Sequence, residues 1–227
     1  MCRACLSAPQ PLAAEYFCVS CRTPFQNHFP LDADGRCALC RSGLRGFDWA
    51  YCFGAYEGAL RELIHLYKYD RMKPLARPLG NLLSAALPLD QRFDGVVAVP
   101  LHWRRKWERG FNQSELLARS IARRCDAPLL HPVRRRKATR VQAGLSNNRR
   151  RENVSGAFIA KANAVRGMRI LLVDDVMTTG ATGSACAQAL KRAGAQSVAL
   201  LTLARVDRRF VSPEKIAKAK GASEWPA

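Results

Sequence analysis

The residues with the clearest chemistry lie in one stretch, Ile170-Leu-Leu-Val173-Asp174-Asp175-Val176-Met177-Thr178-Thr179-Gly180-Ala181-Thr182-Gly183. An apolar run delivers two adjacent carboxylates, and a short turn of hydroxyls and glycine then opens a helical pattern. The N–H groups of such a turn and the positive end of the helix dipole converge on one spot, which suits a phosphate. Threonine hydroxyls add donors there, and Gly180 lets the backbone approach closely. Carboxylates would repel a phosphate at that spot, so they must face something else, and vicinal sugar hydroxyls are good hydrogen-bond partners for them. The stretch therefore predicts recognition of a phosphorylated sugar. Neither the Walker A spacing nor G-x-G-x-x-G is present, which disfavours an ordinary nucleoside-triphosphate or dinucleotide site. The plainer alternative is an acid pair and a capping threonine that do no more than start a helix.

The second chemical feature is a set of three Cys-x-x-Cys pairs, Cys2/Cys5, Cys18/Cys21 and Cys37/Cys40. The latter two are fifteen residues apart, within the spacing of structural zinc sites. Four thiolates complete a tetrahedral Zn²⁺ shell and leave no open position for catalysis, so a metal here is expected to be structural. Cys2 and Cys5 could instead join Cys18 and Cys21 across a twelve-residue gap. Disulfides or unliganded thiols are the alternative, and disulfides are disfavoured because the N-terminus does not read as a secretory signal. His28 reads as a surface residue, and Cys52, Cys125 and Cys186 as buried apolar thiols.

Positioning the acids requires a strand before them and a helix after the turn. The pattern predicts a strand over Met168–Val173, a helix from Thr182 to Ala193 with Gly194 as its C-cap, and a strand over Ser197–Leu203. Such a βαβ unit implies a partly parallel sheet with ligands beyond the C-terminal strand ends. Upstream, Leu60, Leu63, Ile64 and Tyr67 recur at helical spacing, and a further helix is expected over Leu75–Leu87. A strand at Val96–Val99 is closed by Pro100; a helix over Ser114–Arg124 and a strand over Leu129–Val133 follow. Arg134–Glu152 is too basic and too poor in apolar residues to pack, and a loop of that length is usually functional. The reading is α/β, with a cysteine-rich module over 1–45, a main domain over 46–207 and a polar tail over 208–227.

Of 227 residues, 48% are hydrophobic and 24% charged, as in ordinary globular proteins. No apolar run is long enough to span a bilayer, and a cytoplasmic protein without membrane insertion is expected. The abnormal quantity is charge. Thirty-seven Lys and Arg against 18 Asp and Glu give +19, which points to an anionic partner. Residues 101–151 hold fifteen basic and three acidic residues, whereas 1–50 are nearly balanced.

The hydrophobic run, paired acids and T-T-G-x-T turn resemble the phosphoribosyl-pyrophosphate (PRPP) motif of type I phosphoribosyltransferases. Further segments resemble the ComF family: Leu63-Ile-His-Leu-Tyr-Lys68-Tyr69, Val99-Pro100-Leu-His-Trp-Arg104-Arg105, Arg109-Gly110-Phe111-Asn112-Gln113-Ser114, and Gln142-Ala-Gly-Leu145 leading to Arg150-Arg-Glu-Asn153-Val-Ser-Gly-Ala-Phe158. That family joins a zinc module to a phosphoribosyltransferase-like domain and includes proteins linked to DNA uptake and the GntX type. Many members carry four N-terminal cysteine pairs, against three here.

The resemblance implies a type I phosphoribosyltransferase-like fold in which Asp174 and Asp175 hold the ribose hydroxyls. Thr178, Thr179, Gly180, Ala181 and Thr182 would wrap the 5′-phosphate, with Val173, Val176 and Met177 completing the motif. Leu101, His102, Arg104 and Arg105 would approach the diphosphate, with Gln142, Arg150 and Asn153 on a catalytic loop closing over it. Mg²⁺ would accompany PRPP, and Zn²⁺ would be structural. Asp175 is the candidate for proton transfer and His102 a weaker one. Two functions follow: transfer of phosphoribose to an acceptor the sequence does not name, or a binding module acting on single-stranded DNA with PRPP as a regulatory ligand. Trp103, Trp107 and Phe111 could stack on bases, or equally line the buried side of a turn.

Overall fold

A computed structural model describes residues 8–26, 28, 31–43, 45–88, 90–101, 107, 110–136 and 156–206. The chain starts with a small ribbon, β1 (Tyr16–Phe17) antiparallel to β2 (Pro24–Phe25), and a helical turn, α1 (Ala38–Arg41). Next come β3 (Trp49–Ala55), α2 (Gly58–Tyr69), α3 (Ala76–Ser84), β4 (Gly95–Ala98), α4 (Gln113–Arg124) and β5 (Leu129–Leu130). A second ribbon pairs β6 (Val133–Arg135) with β7 (Phe158–Ala160), and β8 (Arg169–Met177), α5 (Ala181–Arg192) and β9 (Ser197–Arg205) complete the fold.

The main sheet has the order β3-β9-β8-β4-β5, and every pairing in it is parallel. Its central strand shows why. Ile170, Leu171, Leu172 and Val173 are fully buried, the mark of a strand covered on both faces. Ile170 and Leu172 pack with α5 and the cysteine module, whereas Leu171 and Val173 pack with α2, α3 and α4. In β9, Val198 and Leu200 face the first cluster, and Ala199, Leu201 and Leu203 the second. The cysteine module thus covers one sheet face beside α5. Its attachment to the sheet includes a hydrogen bond from the Ala50 N–H to the Cys21 carbonyl at 2.9 Å.

The elements depart from the sequence expectation in instructive places. The strand expected to stop at Val173 continues through both acids to Met177, because β9 runs alongside it and pairs Asp174 with Thr202 and Met177 with Arg205. The Leu75–Leu87 helix becomes a 3₁₀ turn at Lys73–Leu75 followed by the shorter α3. The Leu129–Val133 strand divides into two at His131-Pro132: β5 joins the main sheet and β6 the ribbon. Proline has no N–H to give a ladder. β3 gave no recognised pattern, since Cys52 and Gly54 interrupt its apolar run. Cys186 is buried as expected, but Cys52 and Cys125 are only half-buried.

Candidate functional site

Asp174 and Asp175 sit side by side near the C-terminal end of β8, where two helices from the opposite half of the fold reach them. Asp174 Oδ1 accepts a hydrogen bond from Ser114 Oγ at 2.8 Å and another from the Asp175 N–H at 2.9 Å. Burial pushes Asp174 up to about 7, and the neighbouring Asp175 charge acts the same way, while Ser114, the Asp175 N–H and Lys68 oppose it. Asp175 instead faces Lys68, whose Nζ lies 2.9 Å from its Oδ1, with each side chain 13% exposed. One acid is therefore held near its midpoint at neutral pH and the other is paired with a cation.

The helices that supply these partners are fixed to each other. The buried Tyr67 hydroxyl donates to the Gln113 carbonyl at 3.0 Å, and its ring lies 5.4 Å from that of Phe111. Burial raises the Tyr67 hydroxyl above its ordinary value, so it remains a donor. Asn112 Nδ2 donates to the Val99 carbonyl at 3.2 Å, and the Val99 N–H donates to the Val173 carbonyl at 2.9 Å. The segment after β4, with half-buried Leu101 in it, is thereby tied to the acid-bearing strand. Phe111 lies on the buried side, whereas Trp107 is 85% exposed.

Past Met177 the chain turns through Thr178, Thr179 and Gly180 into α5. Gly180 is the N-cap residue at φ +76°, a conformation that carries a steric cost for any residue with a Cβ. Thr179 Oγ1 accepts from the Ala181 N–H at 3.3 Å, and the Ser184 N–H closes the first helical turn on the Gly180 carbonyl. A Cβ on Gly180 would stand 3.2 Å from Leu39 Cδ2 and 3.7 Å from Phe47 Cζ, so the turn rests on the cysteine module.

In that module the Sγ atoms of Cys18, Cys21, Cys37 and Cys40 all lie within 4.8 Å of one another. Cys18 to Cys40 and Cys21 to Cys37 are each 3.7 Å, far beyond a disulfide bond. A tetrahedron of thiolates about 2.3 Å from a zinc ion has edges of about 3.8 Å, so the cluster could hold such an ion with little rearrangement. The Cys37 thiol is lowered to about 5, chiefly by its hydrogen bond with Cys21 and against burial, while burial and the Cys37 charge push Cys40 up to about 12. His28 is exposed and outside the cluster, its ring 5.9 Å from that of Tyr16 and tilted by 48° to it.

Of the residues singled out in the sequence, Asp174 and Asp175 lie in the last part of β8 and Thr178–Thr182 in the turn and first helical residues that follow, while the four cysteines are brought together. Cys2, Cys5, His102, Trp103, Arg104, Arg105, Gln142, Arg150 and Asn153 lie outside the described residues. Three contributors carried no assigned role: Lys68, Ser114 and Leu39. Lys68 did have a signal, since it falls four residues after Ile64 and eight after Leu60, a charge on the buried stripe of α2.

Residues 112–224 match the phosphoribosyl transferase domain family. The chain is 33% identical over 178 residues to Competence protein F of Haemophilus influenzae Rd, an alignment covering 74% of this chain and 78% of that protein. It is 38% identical over 162 residues to DNA utilization protein YhgH of Escherichia coli K12, covering 66% of this chain and 69% of the relative. Among solved structures, glutamine phosphoribosylpyrophosphate amidotransferase from B. subtilis gives a TM-score of 0.40 at 20% identity, over 65% of this chain and 34% of that one, a likeness too loose to bear on function. The sequence relatives, the matched domain, the parallel sheet and the cysteine cluster agree, and the chain belongs to the ComF family.

Proposed function

We propose that the chain binds PRPP or ribose 5-phosphate at the end of β8 and transfers the phosphoribosyl group to an acceptor. The observation that carries this reading is the acid pair, each member held by its own partner, placed directly before a glycine-capped turn and a helix N-terminus. In this reading the turn N–H groups and threonine hydroxyls take the 5′-phosphate, and Asp174 and Asp175 accept from the ribose hydroxyls. Asp174 is able to hold or release a proton near neutral pH beside the ring. By the family resemblance, Leu101, His102, Arg104 and Arg105 would serve the diphosphate, and Gln142, Arg150 and Asn153 would belong to the catalytic loop. Asp174 Oδ1 already accepts two hydrogen bonds and Asp175 Oδ1 is taken by Lys68. Among the described residues the second oxygens of Asp174 and Asp175 are what the pair could still offer to Mg²⁺, which would be held mainly by oxygens of the ligand and would supply charge neutralisation for the departing pyrophosphate.

Calorimetry with PRPP and Mg²⁺ tests the reading on the wild type and on Asp174→Asn/Asp175→Asn. Binding by the wild type and a large loss in the double variant are expected; equal binding by both would overturn the site assignment.

The relatives named for competence and DNA utilization favour a second reading, in which the domain serves uptake or handling of single-stranded DNA. The excess of twelve positive charges over residues 101–151 supports it, because one pyrophosphate needs far fewer. Binding through several phosphates should weaken by orders of magnitude from low to moderate salt. Absence of DNA affinity even at low salt would remove this reading.

A further inference from the structure

Lys68 is a charged residue where a charge is costly. It lies in the last turn of α2, immediately after the fully buried Tyr67, and its side chain is 13% exposed. Its Nζ is 2.9 Å from Asp175 Oδ1, a carboxylate equally withdrawn from water. Either group alone would be strongly disfavoured so deep in the fold; together they offset each other, and the negative end of the α2 dipole adds to the attraction for the ammonium.

The placement also answers a difficulty of the proposed ligand. A phosphoribosyl compound carries its negative charge in phosphates, and Asp175 is a second negative charge beside the sugar that bears them. Lys68 cancels that charge. It also occupies one carboxylate oxygen, so that Oδ2, unpaired among the described residues, can accept from a ribose hydroxyl, since an ionised carboxylate has lone pairs for several donors. Lys68 acts on Asp174 only through its field, without a direct ion pair; Asp174 is served by the neutral Ser114 hydroxyl and is pushed toward its protonated form.

Resting on the phosphoribosyl reading, we propose that Lys68 is the built-in counter-cation of the ribose subsite. It positions Asp175 for a ribose hydroxyl and neutralises it, so that a sugar phosphate is seated there without a divalent cation. Lys68 is thus a positioning residue, acting on the ligand through Asp175.

The test titrates ribose 5-phosphate by calorimetry into four chains, wild type, Lys68→Met, Lys68→Arg and Asp175→Asn, each in excess EDTA and in millimolar Mg²⁺. Wild-type affinity is expected to be nearly the same in the two buffers. Lys68→Met should lose about tenfold or more in EDTA, the worth of one charge-assisted contact, and regain most of it with Mg²⁺. Lys68→Arg should stay close to wild type in EDTA, because a guanidinium supplies the same cation. Should Lys68→Met fail to fold, the Arg variant and the Mg²⁺ dependence of the wild type still decide. A wild type that binds only with Mg²⁺, a Met variant that binds as wild type, or an Arg variant that loses as much as Met would overturn the assignment of Lys68 alone. Absence of wild-type binding in both buffers, or unchanged binding by Asp175→Asn, would instead overturn the phosphoribosyl reading on which it rests.

Discussion

Leu39, flanked by Cys37 and Cys40, lies against Gly180 at the head of α5, with its Cδ2 3.2 Å from where a Cβ of that glycine would stand. The knuckle that offers thiolates to a metal is therefore also the floor of the turn proposed to hold a phosphate. Phe47 completes this floor, and the Arg205 guanidinium, at the end of β9, lies 3.9 Å over the Phe25 ring of the same module.

Removing the metal should reach the phosphate turn. A structural zinc contributes on the order of 10 kcal/mol to small cysteine modules, and Leu39 depends on the loop that zinc would hold. Stripping metal with a strong chelator is expected to lower the melting temperature and to weaken ribose 5-phosphate binding, both restored by zinc. Unchanged ligand affinity in a chain shown to be metal-free would contradict this coupling.

Elemental analysis should find about one zinc per chain, as four thiolates satisfy one tetrahedral ion. Cys18→Ser and Cys37→Ser are each expected to reduce it to near zero, and Cys125→Ser to leave it intact. Two zincs per chain would place Cys2 and Cys5 in a second site.

Gly180→Ala should cost about 1–2 kcal/mol from the left-handed backbone alone, and the tight approach of Leu39 adds to it. The cost is expected to appear in ligand affinity, because the strained residue caps the helix that faces the phosphate. In a double-mutant cycle, Leu39→Ala should recover part of it, since it removes the clash but not the φ strain. Additive losses would show that the two residues are not coupled.

Asp174 gives a signed pH dependence. Its folded value is raised from 3.8 to about 7, so between those values the folded chain keeps a proton that the unfolded chain has released. The stabilisation is fully present below 3.8 and is lost as pH rises toward and through 7. Denaturant unfolding should show wild-type stability falling relative to Asp174→Asn across this window, by at most about 1.4 kcal/mol per pH unit. A difference that is flat with pH, or that grows in favour of the wild type, would show that the carboxyl is ionised throughout.

The fold was legible where local pattern and tertiary demand coincide. Ile170 to Val173 read as a buried strand because a central parallel strand is apolar on both faces, and Gly194 read as a cap because only a helix end needs it there. β3 was hidden: Cys52 and Gly54 dilute its pattern, and its place is secured by β9, about 150 residues away in sequence, through pairs such as Cys52 with Thr202. The end of β8 depends on the same distant partner. Asp174 and Asp175 look like the close of a strand, and the ladder to β9 carries them along.

The chemistry available is written along the chain: an acid pair before a Thr-Gly turn, thiols at metal spacing, and a basic excess concentrated in one segment. These are local facts, since spacing along a strand, a turn or a Cys-x-x-Cys loop sets which groups face together. Which acid is neutralised and what supports the turn depend instead on how distant elements pack. Lys68, Ser114 and Leu39 come from three separate elements, and neither the 2.9 Å and 2.8 Å contacts of the first two with the acids nor the packing of Leu39 against Gly180 is encoded in any spacing. They arise because the parallel sheet brings α2 and α4 to one face and the cysteine module to the other.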